Sequence, residues 1–237
     1  MMQESFHYYQ KEKLFIRFKL DRHEVAGISK SSVNKMLGDD SLPFNESMHI
    51  RAFCTNTIDD CEDTISQKLD PSADVSVCTI GRLEKPYVLP MMQQLHIWFA
   101  EHVQKKFNFV VVGGTTDDSL YKKIQAIFSK DPNVNLIFTG YTFPIPKSLV
   151  DKCDVIVAAS GSAQAAYNQK RPTIKVNPIT ADIIGIVGLT CKNGEYDMYS
   201  KNYPLTDLGK MLEMALKRKD EIEYKSGDYN DRLKKQM

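Results

Sequence analysis

Two cations stand three residues apart in the segment Thr79-Ile80-Gly81-Arg82-Leu83-Glu84-Lys85-Pro86, directly after an apolar run that reads as a strand. Gly81 permits a sharp exit from that strand, and Arg82 and Lys85 follow just beyond it. A diphosphate uses such cations twice: in binding, and in neutralising the charge that grows on it as a leaving group. Arg82 and Lys85 are therefore the candidate catalytic residues. The same spacing also fits ordinary surface cations on a loop, with Glu84 pairing one of them.

A second segment, Ala158-Ala159-Ser160-Gly161-Ser162-Ala163-Gln164, opens a helix with small residues right after an apolar strand. Backbone N–H groups at such a helix start point along the positive end of its dipole and form an anion site. Ser160 or Ser162 would equally serve as an N-cap, and a cap and a phosphate site are compatible. A third segment, Phe138-Thr139-Gly140-Tyr141-Thr142-Phe143, leaves another strand. Tyr141 and Phe143 offer flat apolar faces suited to the wall of a base pocket, with Thr142 beside them, although structural packing is the commoner fate of such rings. The candidate binding residues are thus Gly81, Tyr141, Thr142, Ser160, Gly161, Ser162, Ala163 and Gln164.

Other chemistries find little support. Val112-Gly113-Gly114-Thr115 lacks the G-x-G-x-x-G spacing, and no G-x-x-x-x-G-K-[ST] occurs, which disfavours P-loop enzymes and nicotinamide dehydrogenases. The five histidines (His7, His23, His49, His96, His102) contain no i, i+4 pair, so no metal is expected; His96 and His102 read as surface or rim residues of a helix. The five cysteines form no C-x-x-C, and Cys78 and Cys153 lie in or beside apolar runs where a thiol acts as a small hydrophobe. That usage points to a reduced, cytoplasmic compartment. A formal net charge of +1 argues against a nucleic-acid partner. The N-terminus has no apolar core of signal-peptide type, and the apolar stretches Phe107–Val112 and Ile183–Leu189 are too short to span a bilayer. The tail from Leu216 onward reads as a solvated helix, whose Lys217, Arg218 and Lys219 offer a peripheral membrane contact diluted by neighbouring acids.

These residues need a scaffold, and the elements around them supply one. Strands are expected at Ala73–Ile80, Phe107–Val112, Val134–Phe138, Asp154–Ala158 and Thr173–Val176. Helices are expected at Leu89–Lys106, with Met92, Leu95, Phe99 and Val103 on one stripe, and from about Asp117 to Ser129, with Asp117 as N-cap. The second of these buries Leu120, Ile124, Ile127 and Phe128. A short helix over Lys147–Val150 and one from about Ser162 complete the alternation. Nearly continuous Val/Ile runs separated by helices predict an α/β fold with a doubly wound, Rossmann-like parallel sheet. In such a sheet ligands bind at the carboxyl ends of the strands, where strand order reverses. Upstream, Val25–Ser29 and His49–Cys54 look like short strands, and Asp59–Leu69 like a helix closed by Pro71.

In order and content these segments resemble the C-terminal domain of GT-B glycosyltransferases, particularly the large retaining, family-four type group that uses nucleoside-diphosphate sugars. Val75–Lys85 (VSVCTIGRLEK) resembles that group's strand and its GRL segment with a following Lys, whose Arg and Lys hold the donor diphosphate. Phe109–Gly114 (FVVVGG) resembles its second strand and Gly turn, and Val134–Tyr141 (VNLIFTGY) the segment whose loop touches the base. Cys153–Ile174 resembles the stretch running from strand through phosphate-binding helix to a closing strand. Glu24–Ser32 resembles the end of the acceptor domain, and Phe53–Asp59 the interdomain linker.

The resemblance implies a hexosyltransferase donor domain over residues 71–200, a remnant of the acceptor domain and linker over 1–70, and C-terminal helices over 201–237. Its implied partners are a UDP- or GDP-linked sugar, a glycan or lipid-linked acceptor of polysaccharide biosynthesis, and a missing N-terminal domain. One departure stands out. The family's pair of Glu residues, which contact the sugar and the ribose, has no counterpart, because Val155–Ala181 contains no Asp or Glu. The second Glu position falls on Ala165, beside Gln164, whose neutral amide offers a hydroxyl a weaker hydrogen bond than a carboxylate does, and Asp182 and Thr190 are candidates for replacement contacts. A sugar-nucleotide epimerase of the same architecture, or a degenerate domain with a regulatory or assembly role, are the alternatives.

Overall fold

The computed structural model describes residues 13–22, 24, 57–191 and 207–224. The chain divides into two units, residues 1–53 with 233–237, and residues 54–232. In the first, helix α1 (Lys13–Asp21) buries Leu20, exposes Leu14, Phe15 and Phe18, and directs Lys19 and Arg22 to Glu24. The strands expected at Val25–Ser29 and His49–Cys54 lie outside the described residues.

The second unit is built on a six-stranded sheet. Its strands are β2 (Val75–Ile80), β3 (Phe107–Val112), β4 (Val134–Gly140), β6 (Val155–Ala159), β7 (Thr173–Val176) and β8 (Ile183–Ile186). Their spatial order is β4-β3-β2-β6-β7-β8. All neighbours pair in parallel except β8, which returns antiparallel beside β7. A further parallel pair joins β1 (Ile58–Asp59) to β5 (Ile145–Pro146). Strand order therefore reverses between β2 and β6, the crevice where a doubly wound sheet takes its ligand.

Alternate residues of each strand feed two apolar layers, as the pleat dictates. On one face Val77, Phe107, Phe109, Val157 and Ile174 meet α2 (Val88–Glu101), α3 (Asp118–Phe128) and α6 (Leu208–Lys217). Phe99, Phe107, Phe109 and Phe128 pack ring on ring there at centroid distances of 4.7–6.0 Å. The opposite face is lined by smaller side chains, Cys78, Val110, Ile156 and Ala158, under α4 (Lys147–Asp151) and α5 (Ser160–Asn168). Cys78 and Cys153 are both buried, and the neighbouring Cys153 thiol together with burial pushes the Cys78 thiol well above its ordinary pKa. It stays a neutral, packed group, as its apolar sequence context predicts.

Three expectations change. The helix beginning near Leu89 stops at Glu101, where His102 leaves helical geometry and its Nδ1 lies 2.8 Å from the Trp98 carbonyl oxygen. Val103 consequently falls outside the buried stripe and is exposed. Asp59–Leu69 is not a helix: β1 and a 3-10 turn at Ser66–Lys68 take its place, and Ile58, Ile65 and Leu69 pack on the sheet's small-residue face. Residues 57–70 thus belong with the sheet. Finally, the C-terminal helix lies earlier than the tail composition suggests. α6 buries Leu208, Leu212 and Ala215, and Asp207 caps it by accepting from the Gly209 N–H. Residues 225–237 lie outside the described residues.

Candidate functional site

The carboxyl edge of the sheet gathers the singled-out loops. Ile80 of β2 pairs with Ala158 of β6, so the Gly81-Arg82 turn and the start of α5 leave the sheet side by side at the reversal point. The Gly81 N–H donates to the Val112 carbonyl at 2.9 Å, and the Leu83 N–H to the Gly114 carbonyl at 3.1 Å, tying the first loop to the exit of β3. These loops meet backbone to backbone. A Cβ at Gly113, whose φ is +139°, would lie 2.0 Å from the Gly81 carbonyl oxygen. A Cβ at Gly114 would lie 2.6 Å from the Tyr141 ring, so that ring rests directly on the glycine. Its other side remains open: Tyr141 is 64% exposed and Phe143 75%. Under Gly81 sits the buried Tyr87, whose hydroxyl burial pushes up to about 12.

Arg82 and Lys85 are both exposed, and the Arg82 guanidinium lies 3.3 Å from the Glu84 carboxylate. The loop cations are therefore free to move towards a ligand, with an exposed pairing that contributes little to stability. At the second loop neither serine occupies the N-cap position. The N-cap is Ala159, which makes no side-chain cap hydrogen bond. Ser160 adopts φ +51°, an unusual backbone for a non-glycine residue, and turns the chain sharply from β6 into α5. Gly161 is half-buried, Ser162 and Ala163 are buried, and the Ala163 side chain packs into the small-residue layer. Ala163 as a whole residue is 1% exposed. Gln164 donates to Asn168 Oδ1 at 2.7 Å, which draws its amide down the helix, away from the edge. Thr142 donates to the Thr139 carbonyl at 3.4 Å within the β4 loop, two strands from β2.

Two features of this edge were missed in the sequence. Lys175, in register with Ala158, is buried on β7 one residue short of the edge; a charge between Ile174 and Val176 was the available signal. Asn177, also buried, uses its Oδ1 to accept from the N–H groups of Ile179 and Thr180 at 2.9 and 3.3 Å, shaping the turn into β8. The histidines lie elsewhere: His96 Nδ1 faces Asp131 at 2.6 Å, and His102 Nε2 faces Glu213 at 2.9 Å. Among the described residues no group of three His, Cys, Asp or Glu side chains is placed to hold a metal, and no helix is long and apolar enough to cross a membrane. Lys217 and Arg218 face Glu213 and Glu221 respectively.

No family model matches the chain, and no curated protein matches it. Among solved structures, TarM aligns with 95% of this chain at 16% identity and a TM-score of 0.51. The fold is the C-terminal half of a GT-B architecture. Similarity also extends to the lipopolysaccharide outer core galactosyltransferase WaaB (15% identity, TM-score 0.45) and to the pneumococcal O-GlcNAc transferase GtfA in complex with UDP and GlcNAc (16%, 0.42). This GT-B half covers 83% and 90% of its own length in those alignments, but only 52% and 41% of theirs. It spans 45% of TarM. The likeness is one of fold.

Proposed function

We propose that the carboxyl edge binds a nucleoside-diphosphate sugar, and that the chain is the donor half of a hexosyltransferase. The observation that carries this reading is the meeting of the Gly81–Lys85 loop and the small-residue start of α5 at the strand-order reversal. Two mobile cations and a helix dipole there suit two adjacent phosphates. As the glycosidic bond breaks, negative charge collects on the diphosphate, and Arg82 and Lys85 oppose it without a metal ion. The base, of uridine or guanosine, would stack on the open side of Tyr141. Acceptor activation falls to groups outside this half, and the acceptor would be a glycan or a lipid-linked sugar. Cytoplasmic placement, at or near a membrane, follows as part of the same proposal.

A second reading, a degenerate GT-B half with an assembly role, is favoured by the absence of any carboxylate over Val155–Ala181. Calorimetric titration with UDP, GDP and their sugar conjugates separates the two. The donor reading expects saturable binding, and Arg82→Ala weakens it by about tenfold or more, since a charge-assisted contact is lost. The exposed Arg82–Glu84 pair adds little to stability, so the melting temperature of this variant stays close to that of the native chain. Absence of binding at millimolar nucleotide, or an Arg82→Ala variant that binds like the native chain, sinks the donor reading.

A further inference from the structure

The geometry points to Asp182 as the residue that distinguishes the donor's sugar by holding its hydroxyls, an inference that rests on the donor-site reading above. Three pairings define a row across the carboxyl edge: Ile80 with Ala158, Ala159 with Val176, and Val176 with Ile183. Continued just past the strand ends, they align Arg82, Ser160, Asn177 and Asp182. The last step is made by a hydrogen bond, since the Asn177 N–H donates to the Asp182 carbonyl at 2.8 Å. Asp182 therefore stands two strand spacings, about 10 Å, from the start of α5. A pyranose ring and an aspartate side chain bridge that span between them.

The order of groups along this edge matches the order of groups in a sugar nucleotide. Tyr141 lies at the β4 end, Arg82 and the α5 start lie at β2 and β6, and Asp182 lies between β7 and β8. A base on Tyr141 and a diphosphate at the reversal point direct the sugar towards β7 and β8. Asp182 is the first carboxylate met in that direction, because Val155–Ala181 contains none.

Among the described residues, the other carboxylates that flank these loops are committed or misplaced. Glu84 faces Arg82, Asp117 caps α3 by accepting from the Ser119 N–H at 2.9 Å, and Asp118 begins α3 on the β3 side. Thr190 is also excluded: its hydroxyl accepts from the Ile186 N–H at 2.8 Å, beyond the opposite end of β8.

The turn that carries Asp182 is preshaped. The Ala181 N–H donates to the Asn177 carbonyl at 3.0 Å, with Ala181 held at φ +64°. The Thr180 hydroxyl donates to Asp182 Oδ2 at 2.5 Å, fixing the carboxylate, while Oδ1 takes no hydrogen bond from the described residues. A fixed carboxylate with an open oxygen accepts from a sugar hydroxyl more strongly than a neutral amide such as Gln164 does. It thus supplies at the β7–β8 turn what α5 lacks.

The test is calorimetry on the full chain with UDP, GDP, UDP-glucose, UDP-galactose, UDP-N-acetylglucosamine and GDP-mannose, comparing the native chain with Asp182→Asn and Thr180→Val. The native chain should bind one conjugate about tenfold or more tighter than its bare nucleotide, the margin of a hydrogen bond to a charged group. Asp182→Asn, nearly isosteric, should bring that conjugate to within about threefold of the bare nucleotide while leaving bare-nucleotide affinity unchanged, and Thr180→Val should lose part of the margin. If nucleotide binds but the margin is absent, or survives in Asp182→Asn, the inference falls and the donor site stands. Equal weakening of conjugate and bare nucleotide assigns Asp182 a structural role and also overturns it. Failure of every nucleotide to bind the native chain removes the donor reading itself.

Discussion

The two edges of the sheet are built by opposite means. At the amino edge, side chains hold the backbone. Asn108 Oδ1 accepts from the Asp70 N–H and the Asn135 amide, each at 2.9 Å, while its Nδ2 donates to the Asp70 carbonyl at 3.0 Å and the Ser76 hydroxyl at 3.2 Å. Asp154 accepts from the Ser76 N–H, and Asp74 from the Lys106 N–H, both at 2.8 Å. At the carboxyl edge the backbone holds itself, through Gly81 to Val112, Leu83 to Gly114, and the contact of Gly113 with the Gly81 carbonyl. Around the Gly81 loop the carboxyl edge is joined mainly backbone to backbone, whereas its flanks still use side chains, Asp117 at the start of α3 and Asn177 at the turn into β8. Ala159 at the N-cap of α5 expresses the same division, since a serine or aspartate there would satisfy the helix start from within.

The division can be broken at either edge. Gly113→Ala has the largest expected effect: it forces a Cβ onto a backbone oxygen at a φ that alanine avoids. Unfolding in urea should show a loss of about 3 kcal/mol or more, and the displaced Gly81 loop should take nucleotide binding with it. Asn108→Ala should cost about 2–3 kcal/mol, because the Asp70 backbone groups and the Ser76 and Asn135 side chains lose a buried partner together. Nucleotide affinity measured on the folded fraction should not change. A Gly113→Ala chain of native stability, or an Asn108→Ala chain with weakened binding, would show that the edges are not separable.

The fold was legible where burial is continuous. β3 and β7 fall where their apolar runs place them, and Asp117 caps α3 as its position before an amphipathic run predicts. Asp59–Leu69 misleads because Asp59, Asp60, Glu62 and Asp63 imitate the acidic first turn of a helix. Asp63 instead accepts from the Ile65 and Ser66 N–H groups, bending the chain into a turn. β8 was hidden inside the apolar stretch Ile183–Leu189, since its antiparallel return depends on the Asn177 turn, a long-range feature no local pattern states. At the site, the loops are legible as glycine and small-residue exits from strands. Their interlocking is not, because the Gly113–Gly81 and Gly114–Tyr141 contacts join segments about 30 residues apart through the absence of side chains. The direction of Gln164 depends likewise on Asn168, a neighbour available in the sequence but silent about which way the amide turns.

The finest discrimination between the edges comes from pH. Tyr87, under Gly81, has its folded-state pKa raised from 10.0 to about 12 by burial. Between those values the unfolded chain has lost the phenolic proton while the folded chain keeps it, so stability falls as pH rises through that window. A shift of this size corresponds to about 2–3 kcal/mol, and Tyr87→Phe should flatten that alkaline limb by a comparable amount, measured as the difference between variant and native unfolding curves. Asp70, at the amino edge, behaves with the opposite sign. Hydrogen bonds from the Ser72 N–H and hydroxyl hold its carboxyl below the ordinary carboxylate range. Its contribution is present above the unfolded-state pKa near 3.8 and fades as pH falls through the lowered folded value. Because Asp70 is only half-buried and its carboxyl is held by local contacts from Ser72, Asp70→Asn should change only the acid limb, and by the smallest amount of all. Each limb then reports one edge: a Tyr87→Phe chain with altered acid unfolding, or an Asp70→Asn chain with altered alkaline unfolding, would mean that strain at one end of the strands is felt at the other.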